Sequence, residues 1–375
     1  MRFSNTKLNF SYVLGNNIGT TALNASFYLI FAYFMTPDEY GFLNYIIAIA
    51  GTASIISQFG FPHSVTIFRS KNKHDLSNQI NVFAIILSTI VAIILIPINI
   101  HASLLSFSLS FFIMNQHNLL GLKKYKKFFW LGIFKGISII SLPILFFFIF
   151  DIPGILLGMS LSNLIFSFYF VKNLNFKIKS WKELKSNLGF ITHNFSIQAS
   201  GGFTKFLDKL LIVPLLGFTY AGLYQFNLQI LLALTILPAS LHAFLLTEES
   251  GGVTHTKITY FTIIAAIFLV LISIPLSPLL VDYFFPKYTD GIPSLQIMII
   301  SLIPLSITAA LNAKLQAVES KKVGYPAIAR VVALLGFVVL LGNSYGLMGL
   351  ALAVLISSTI ETIFLIFLYR NQNTS

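Results

Sequence analysis

Uninterrupted apolar stretches of about 20 residues recur along this chain from end to end, the length at which an α-helix crosses the hydrocarbon core of a bilayer. In lipid every backbone amide must find its partner internally, so such stretches form helices or closed barrels. Barrel strands alternate apolar and polar residues, whereas these runs are continuous, which leaves helices. Composition agrees. Hydrophobic residues make up 56%, charged residues 10%, and the mean hydropathy is +0.84; soluble domains carry about 25% charge. The expected fold class is all-α integral membrane protein.

The runs place about twelve spans, near 11–35, 40–68, 79–99, 102–121, 128–150, 154–171, 188–213, 219–246, 258–281, 292–316, 323–342 and 346–369. The second and fourth are interrupted by Ser, Gln, Asn and His. Orientation follows the Lys and Arg bias of the connecting segments. With the N-terminus in the cytoplasm, the inner segments hold Arg2, Lys7, Arg69, Lys71, Lys73, Lys123, Lys124, Lys126, Lys127, Lys172, Lys177, Lys179, Lys182, Lys185, Lys257, Lys321, Lys322 and Arg370. The outer ones hold Lys287 with Asp38, Glu39, Asp151, Asp282 and Asp290. Both termini are therefore expected in the cytoplasm, with the chain multi-pass in the cell membrane. Topology and anionic lipid account for the net charge of +12, so no nucleic-acid partner is called for. The opening MRFSNTKLNFSYVLGNN has neither an h-region nor a small-residue cleavage site, so no cleavable signal is expected. With no cysteine, disulfides, thiolate nucleophiles and cysteine metal sites are excluded.

The expected organisation is a six-helix lobe at 1–172, a basic cytoplasmic linker at 173–187 and a second six-helix lobe at 188–375. The linker, with Phe176, Ile178, Trp181 and Leu184 among its lysines, reads equally as a surface-lying segment or a disordered loop. Two matches relate the halves. AYFMTPDEYGFLNYIIAI at 32–49 aligns with VPLLGFTYAGLYQFNLQI at 213–230, placing Gly41 on Gly222. YKKFFWLGIFK at 125–135 aligns with SKKVGYPAIAR at 320–330, placing Lys126, Lys127 and Lys135 on Lys321, Lys322 and Arg330. Six spans per half give both halves the same orientation, a parallel repeat about the membrane normal.

MTPDEYGFLNYIIAIAGTASIISQFGFP and DKLLIVPLLGFTYAGLYQFNLQILLALTILP resemble the paired repeats of O-antigen flippases (Wzx type). These polysaccharide exporters belong to the multidrug/oligosaccharidyl-lipid/polysaccharide (MOP) exporter superfamily. The likeness extends over the chain in span count, division and loop length, although AFLLTEESGG, leaving the eighth span, lacks an expected proline. The resemblance implies a V-shaped pair of pseudo-symmetric six-helix lobes. It also implies a lipid-linked saccharide as partner, moved from the inner to the outer leaflet.

An ionisable or strongly polar residue within a span is a functional candidate, because lipid does not tolerate it unpaired. In the seventh span Asn194, Gln198, Gly201, Lys205, Asp208 and Lys209 recur every three or four residues, a polar stripe that fits either cavity lining or helix packing. Lys205 and Asp208 have the spacing of an ion pair; Lys209, close to Pro214, is expected to snorkel to the interface. The first span has Asn17, Thr20, Thr21, Asn24 and Tyr28, with Asn24 where the second half has Lys205, suited to sugar hydroxyls or to packing. Lys135 and Arg330 lie eight residues past their lysine pairs, roughly 12 Å into the bilayer. They face a shared cavity, where they would attract a pyrophosphate, or snorkel to the head groups. Glu361, on a stripe with Ser357 and Ser358, fits proton or sodium coupling and equally an ion pair with Arg330; Asp208 would balance charge. His63, His101, His117 and His242 fall near span ends without metal spacing, so no metal or cofactor is expected. The 38 phenylalanines fit lipid contact or a groove for a polyprenyl chain.

No P-loop, G-x-S-x-G or H-E-x-x-H occurs, and no loop is long enough to build a glycosyl-transfer site, so an enzyme is not expected. The expected function is a flippase for isoprenoid-pyrophosphate oligosaccharides in surface-polysaccharide synthesis, with membrane lipids and glycan-assembly proteins as further partners. Three alternatives stand: a cation-coupled multidrug antiporter, which would want acidic cavities; a membrane enzyme of glycan assembly, for which Glu248–Glu249 is an adjacent acidic pair; and a lipid-II-type flippase, which resembles a longer chain with two more spans.

Overall fold

The computed structural model of the protein describes residues 2–168, 170, 181–236, 238, 256–317 and 324–373. Among them all regular structure is helical: α1 (Arg2–Phe34), α2 (Pro37–Gln58), α3 (Phe61–Ser70), α4 (His74–Leu95), α5 (Ile100–Gly121), α6 (Tyr125–Ile165), α7 (Trp181–Ser186), α8 (Leu188–Leu216), α9 (Phe218–Leu234), α10 (Thr256–Phe284), a 3-10 turn (Pro286–Gly291), α11 (Ile292–Ile300), α12 (Leu302–Ala317) and α13 (Gly324–Asn373). Glu248–Glu249, His242, Lys321, Lys322 and most of the expected linker lie outside the described residues.

Among the described residues, six segments are long and apolar enough to cross a membrane: Pro37–Gln58, His74–Leu95, Tyr125–Ile165, Tyr260–Phe284, Pro286–Leu315 and Gly324–Arg370. Two have double length and break midway, α6 at Asp151 (φ 58, ψ −146) and α13 at Gly346 (φ 55, ψ −131), where the sequence places turns between consecutive spans. Both breaks are built alike. Three residues on, a Cβ on Gly154 would lie 2.0 Å from the Phe146 carbonyl oxygen, and one on Gly349 would lie 1.9 Å from that of Leu341. Only glycine admits so close a backbone approach. Asp151 pairs with Gly346, and Gly154 with Gly349, in the register that pairs Lys135 with Arg330. Large apolar side chains along α6, α10 and α13, Phe148, Phe261, Phe268, Leu271, Leu279 and Phe367 among them, face outward, as lipid contact requires.

The expected second span is not one continuous helix. Phe59 (φ 44) and Gly60 (φ 75) adopt left-handed backbone and separate α2 from α3. A Cβ on Gly60 would lie 2.4 Å from the Ile191 carbonyl oxygen and from the Phe195 nitrogen, so the kink packs directly on the α8 backbone.

Two compact units form, Met1–Phe27 with Ile46–Phe206 and Tyr28–Tyr45 with Leu207–Ser375. Helices α1, α2 and α8 thus contribute to both. In the first unit, α1 and α6 interlock through facing G-x-x-x-G motifs, the arrangement that small residues permit in lipid. Gly15 meets Phe129, Gly19 meets Ile133, Gly132 meets Asn16 and Gly136 meets Leu23. At one end Phe61, Val65, Phe68, Leu76, Ile80 and Met114 pack together and take in Leu184 of α7, so the last residues of the expected linker join this core.

In the second unit the α1–α2 turn carries a capping box. The Thr36 N–H donates to Glu39 Oε2 (2.8 Å), the Glu39 N–H donates to Thr36 Oγ1 (3.4 Å), and Pro37 opens the helix. The turn is held by the 3-10 segment, where Lys287 donates to the Phe34 carbonyl at the α1 C-terminus (2.9 Å), a position that favours a cation. It also crosses α9: a Cβ on Gly41 would lie 1.9 Å from the Phe218 carbonyl oxygen, and one on Gly222 would lie 1.8 Å from that of Pro37.

Candidate functional site

Among the described residues, the candidate polar groups of α8 and α13 take part in one cluster in each unit. In the first unit, the first half of α8 lies close against α2, since a Cβ on Gly202 would meet Ile55 at 2.4 Å and one on Gly51 would meet Phe206 at 2.5 Å. Gln198 donates through Nε2 to Gln58 Oε1. Gln58 donates to Ser54 Oγ (2.9 Å), and Ser54 and Ser57 share Ser110 at 3.0 Å each. Ser88 extends the chain to α4. Asn194 is buried and donates to Ser64 Oγ (2.9 Å). Asn194 and Gln198 therefore spend donors on helix–helix bonds, although the buried Gln198 Oε1 accepts none. Asn24 and Lys205 are exposed.

Lys135, on α6 between the glycines of its G-x-x-x-G motif, places its ammonium 5.1 Å from the centroid of the Phe112 ring on α5. It forms no ion pair among the described residues. A cation so placed is costly in lipid unless an anion or water shares the site.

In the second unit, Asp208 anchors the cluster. Its Oδ1 takes the Lys209 ammonium at 3.0 Å and the Lys209 backbone N–H at 2.8 Å, while its Oδ2 accepts the Tyr224 hydroxyl at 2.9 Å. Asp208 and Lys209 are 2% and 6% exposed. Lys209 does not snorkel to the interface as its closeness to Pro214 suggests. The buried Asp208 carboxylate beside it offers a partner that offsets desolvation, which a run along the helix to the head groups would forgo. Arg330 donates through Nη1 to Glu361 Oε2 at 3.1 Å, with Glu361 6% and Arg330 28% exposed. The second unit thus holds two ion pairs, Lys209 with Asp208 and Arg330 with Glu361, in which two cations balance two carboxylates. Arg330 Nε is buried and makes no hydrogen bond. Nearby, Thr362 bonds Thr308 (2.9 Å) and the Pro304 carbonyl, tying α13 to α12.

Sequence reasoning missed Tyr224 and Gln58, the hubs of these clusters. Tyr224 sits in an apolar helix and reads as core. Gln58 could have been found from its i, i+4 relation to Ser54. Lys314, also overlooked, lies 5.7 Å from the Tyr369 ring centroid. At the α13 break a cavity of about 450 Å³ is lined by Tyr220, Asp290, Tyr345 and Gly346. Among the described residues no group of three or more His, Cys, Asp or Glu is placed to hold a metal ion.

Comparison with known proteins gives these features their setting. An uncharacterized membrane protein of Methanocaldococcus jannaschii is 25% identical, with 95% of each chain covered. Among solved structures, the lipid II flippase MurJ in an inward closed conformation matches with a TM-score of 0.71 at 17% identity, covering 96% of this chain and 87% of that one. An inward-facing MATE-family multidrug resistance transporter of the MOP superfamily matches with a TM-score of 0.68 at 15% identity, covering 94% of each. The all-α membrane fold expected from the sequence is thus shared with these proteins. Residues 7–244, more than half of the chain, match the model of the polysaccharide biosynthesis protein family, and the chain belongs to that family.

Proposed function

We propose that this protein is a flippase that moves an isoprenoid-pyrophosphate oligosaccharide from the inner to the outer leaflet by alternating access. The observation that carries the reading is Lys135, an intramembrane cation held over an aromatic ring with no carboxylate partner among the described residues. An anionic head group entering beside it would supply the missing charge, a charge-assisted contact in a setting of low dielectric. In the second unit Asp208 and Glu361 would balance the charges of Lys209 and Arg330 before substrate arrives. Family membership in polysaccharide biosynthesis and the fold shared with a lipid II flippase support the same direction. The saccharide would travel within the protein while the lipid tail stays in the bilayer. Transport, rather than catalysis, is the role, in a cytoplasmic membrane with both termini inside.

Multidrug antiport by the same fold is the second reading, and Asp208 and Glu361 are what favour it, because a drug cation needs a membrane carboxylate. Both carboxylates already hold a cation.

The test is reconstitution into sealed liposomes containing a labelled polyprenyl-pyrophosphate oligosaccharide, scored by accessibility to an external glycosidase. Protein-dependent movement that is lost in a folded Lys135→Gln variant is expected. Normal movement in that variant overturns the assignment of Lys135, and no movement under any proton or sodium gradient overturns the flippase reading.

A further inference from the structure

Apart from the membrane-embedded clusters, the first unit holds a polar cavity of about 260 Å³ at the end where the α3–α4 and α5–α6 turns meet. Its ten lining residues include Arg69, His74, Lys124 and four asparagines, and none is acidic. We propose that this cavity is a binding site for a phosphate group, borne either by an anionic lipid headgroup or by a free phosphate solute, and separate from the translocation of substrate.

The two turns are built by the same device. Asn72 (φ 60) and Lys123 (φ 56) both take left-handed backbone. The Lys73 N–H donates to the Phe68 carbonyl and the Asn72 N–H to that of Arg69; the Lys124 N–H donates to the Leu119 carbonyl and the Lys123 N–H to that of Leu120. These are paired Schellman closures, which satisfy the carbonyls that end α3 and α5 and fix where the next residues emerge. Gly121 then lets α5 approach α3, since a Cβ there would lie 2.8 Å from the Arg69 Cβ and 2.9 Å from the Thr66 carbonyl oxygen. The Arg69 side chain is thereby set at the cavity.

The walls are rigid. Asn81 and Asn118 exchange amide hydrogen bonds at 3.1 and 3.0 Å, and Asn115 donates to the Phe166 carbonyl at 2.7 Å. Arg69 Nη2 donates to Asn78 Oδ1 at 2.8 Å, so its guanidinium is held by a neutral acceptor, and its Nε is buried without a hydrogen-bond partner. Partial burial lowers the Arg69 pKa from an ordinary value far above neutrality, and the group stays charged. Arg69 and Lys124 thus present two cations over amide walls, with an orphaned N–H among them. A planar guanidinium fork beside a point-charge ammonium suits a tetrahedral phosphate oxyanion.

The test uses the full chain in phosphatidylcholine nanodiscs, read by hydrogen exchange at the 122–124 turn. One arm adds inorganic phosphate, and the other replaces part of the lipid with phosphatidic acid. Protection of the turn is expected in one arm at least, and Arg69→Gln and Lys124→Gln are each expected to weaken it by about tenfold or more. Lys126→Gln, an exposed neighbour outside the cavity, should change it by no more than about twofold. Lys124 is itself exposed, so its variant keeps the fold and carries the test if Arg69→Gln does not. Protection by phosphate alone assigns a solute, and protection by phosphatidic acid alone assigns a headgroup. No protection in either arm overturns the proposal, as does equal weakening by Lys126→Gln, which would mean diffuse attraction to a basic surface.

Discussion

Gly41 and Gly222 meet backbone to backbone, and the contact is reciprocal. Each stands four residues after the residue whose carbonyl the other touches: Gly41 follows Pro37 and meets the Phe218 carbonyl oxygen, and Gly222 follows Phe218 and meets that of Pro37. Such reciprocity is what a local two-fold axis produces. The Thr219 hydroxyl adds a 3.0 Å bond to Asp38, and the Phe218 ring packs edge-on to Phe42 and Tyr45. Gly41→Ala and Gly222→Ala each force a methyl group into a carbonyl oxygen, which a backbone shift must relieve. Each is expected to lower stability by about 1–3 kcal/mol. Because both remove one crossing, the double variant should lose distinctly less than the two losses added. Apparent Tm of the purified chain at a fixed scan rate measures this, and simple additivity would mean the contact is not shared.

Arg330 and Glu361 supply the second prediction. Removing the half-buried Arg330 strands the buried Glu361 carboxylate, at a cost of about 3 kcal/mol, whereas removing both leaves no orphan. Arg330→Met alone should therefore destabilise more than Arg330→Met with Glu361→Met. The exchange Arg330→Glu with Glu361→Arg should recover most of the wild-type Tm. If Glu361 also couples transport to an ion, Glu361→Gln in folded protein will abolish gradient dependence in liposomes, a readout that a purely structural pair would not move.

Tyr224 and Asp208 separate two costs within one cluster. Tyr224→Phe removes a neutral donor and leaves Asp208 with both lysine contacts, a loss of about 1–2 kcal/mol. Asp208→Ala takes the carboxylate away from the buried Lys209 ammonium, about 3–5 kcal/mol. Asp208→Ala with Lys209→Met should recover part of the difference. Thermal unfolding of the four proteins orders these effects, and equal losses for Tyr224→Phe and Asp208→Ala would mean that Lys209 escapes to water.

The fold was legible where lipid imposes it. Runs such as 258–281 must be helical whatever their neighbours, and the pairing of Gly41 with Gly222 and of Lys135 with Arg330 marked the repeat. The second span was less readable, because its break depends on left-handed backbone at Phe59 and Gly60 packed against Ile191 and Phe195, residues more than a hundred positions away. Polar residues divide in the same way. That Glu361 would meet Arg330 was one of two readings, both consistent with the sequence. That Lys209 would turn to Asp208, and that Gln198 would bond Gln58, depended on which helix lay alongside. A stripe of polar residues states that a helix face needs partners, but not whether protein or substrate supplies them. The matched hairpins at Asp151–Gly154 and Gly346–Gly349 share only a spacing of three and a glycine, too little to notice before the carbonyls of Phe146 and Leu341 were in place.

The α1–α6 crossing yields the last prediction, in which the identity of the obstructing atom decides whether a second substitution rescues the first. A Cβ on Gly19 would lie 2.5 Å from Ile133 Cδ1, the mobile end of a side chain, whereas one on Gly154 would meet the Phe146 carbonyl oxygen at 2.0 Å. Gly19→Ala should cost about 1–3 kcal/mol at most, and Ile133→Ala in the same chain should return much of it by clearing the space. Gly132→Ala, which meets the Asn16 amide at 2.2 Å, should likewise be relieved by Asn16→Ala, less the small worth of the 3.4 Å bond from Asn16 Nδ2 to the Phe128 carbonyl. Gly154→Ala has no such remedy, because truncating Phe146 leaves its carbonyl in place. Thermal unfolding of the three single variants and their partners checks the ordering. Rescue of Gly154→Ala by Phe146→Ala would show that the hairpin backbone yields more readily than its close approach implies.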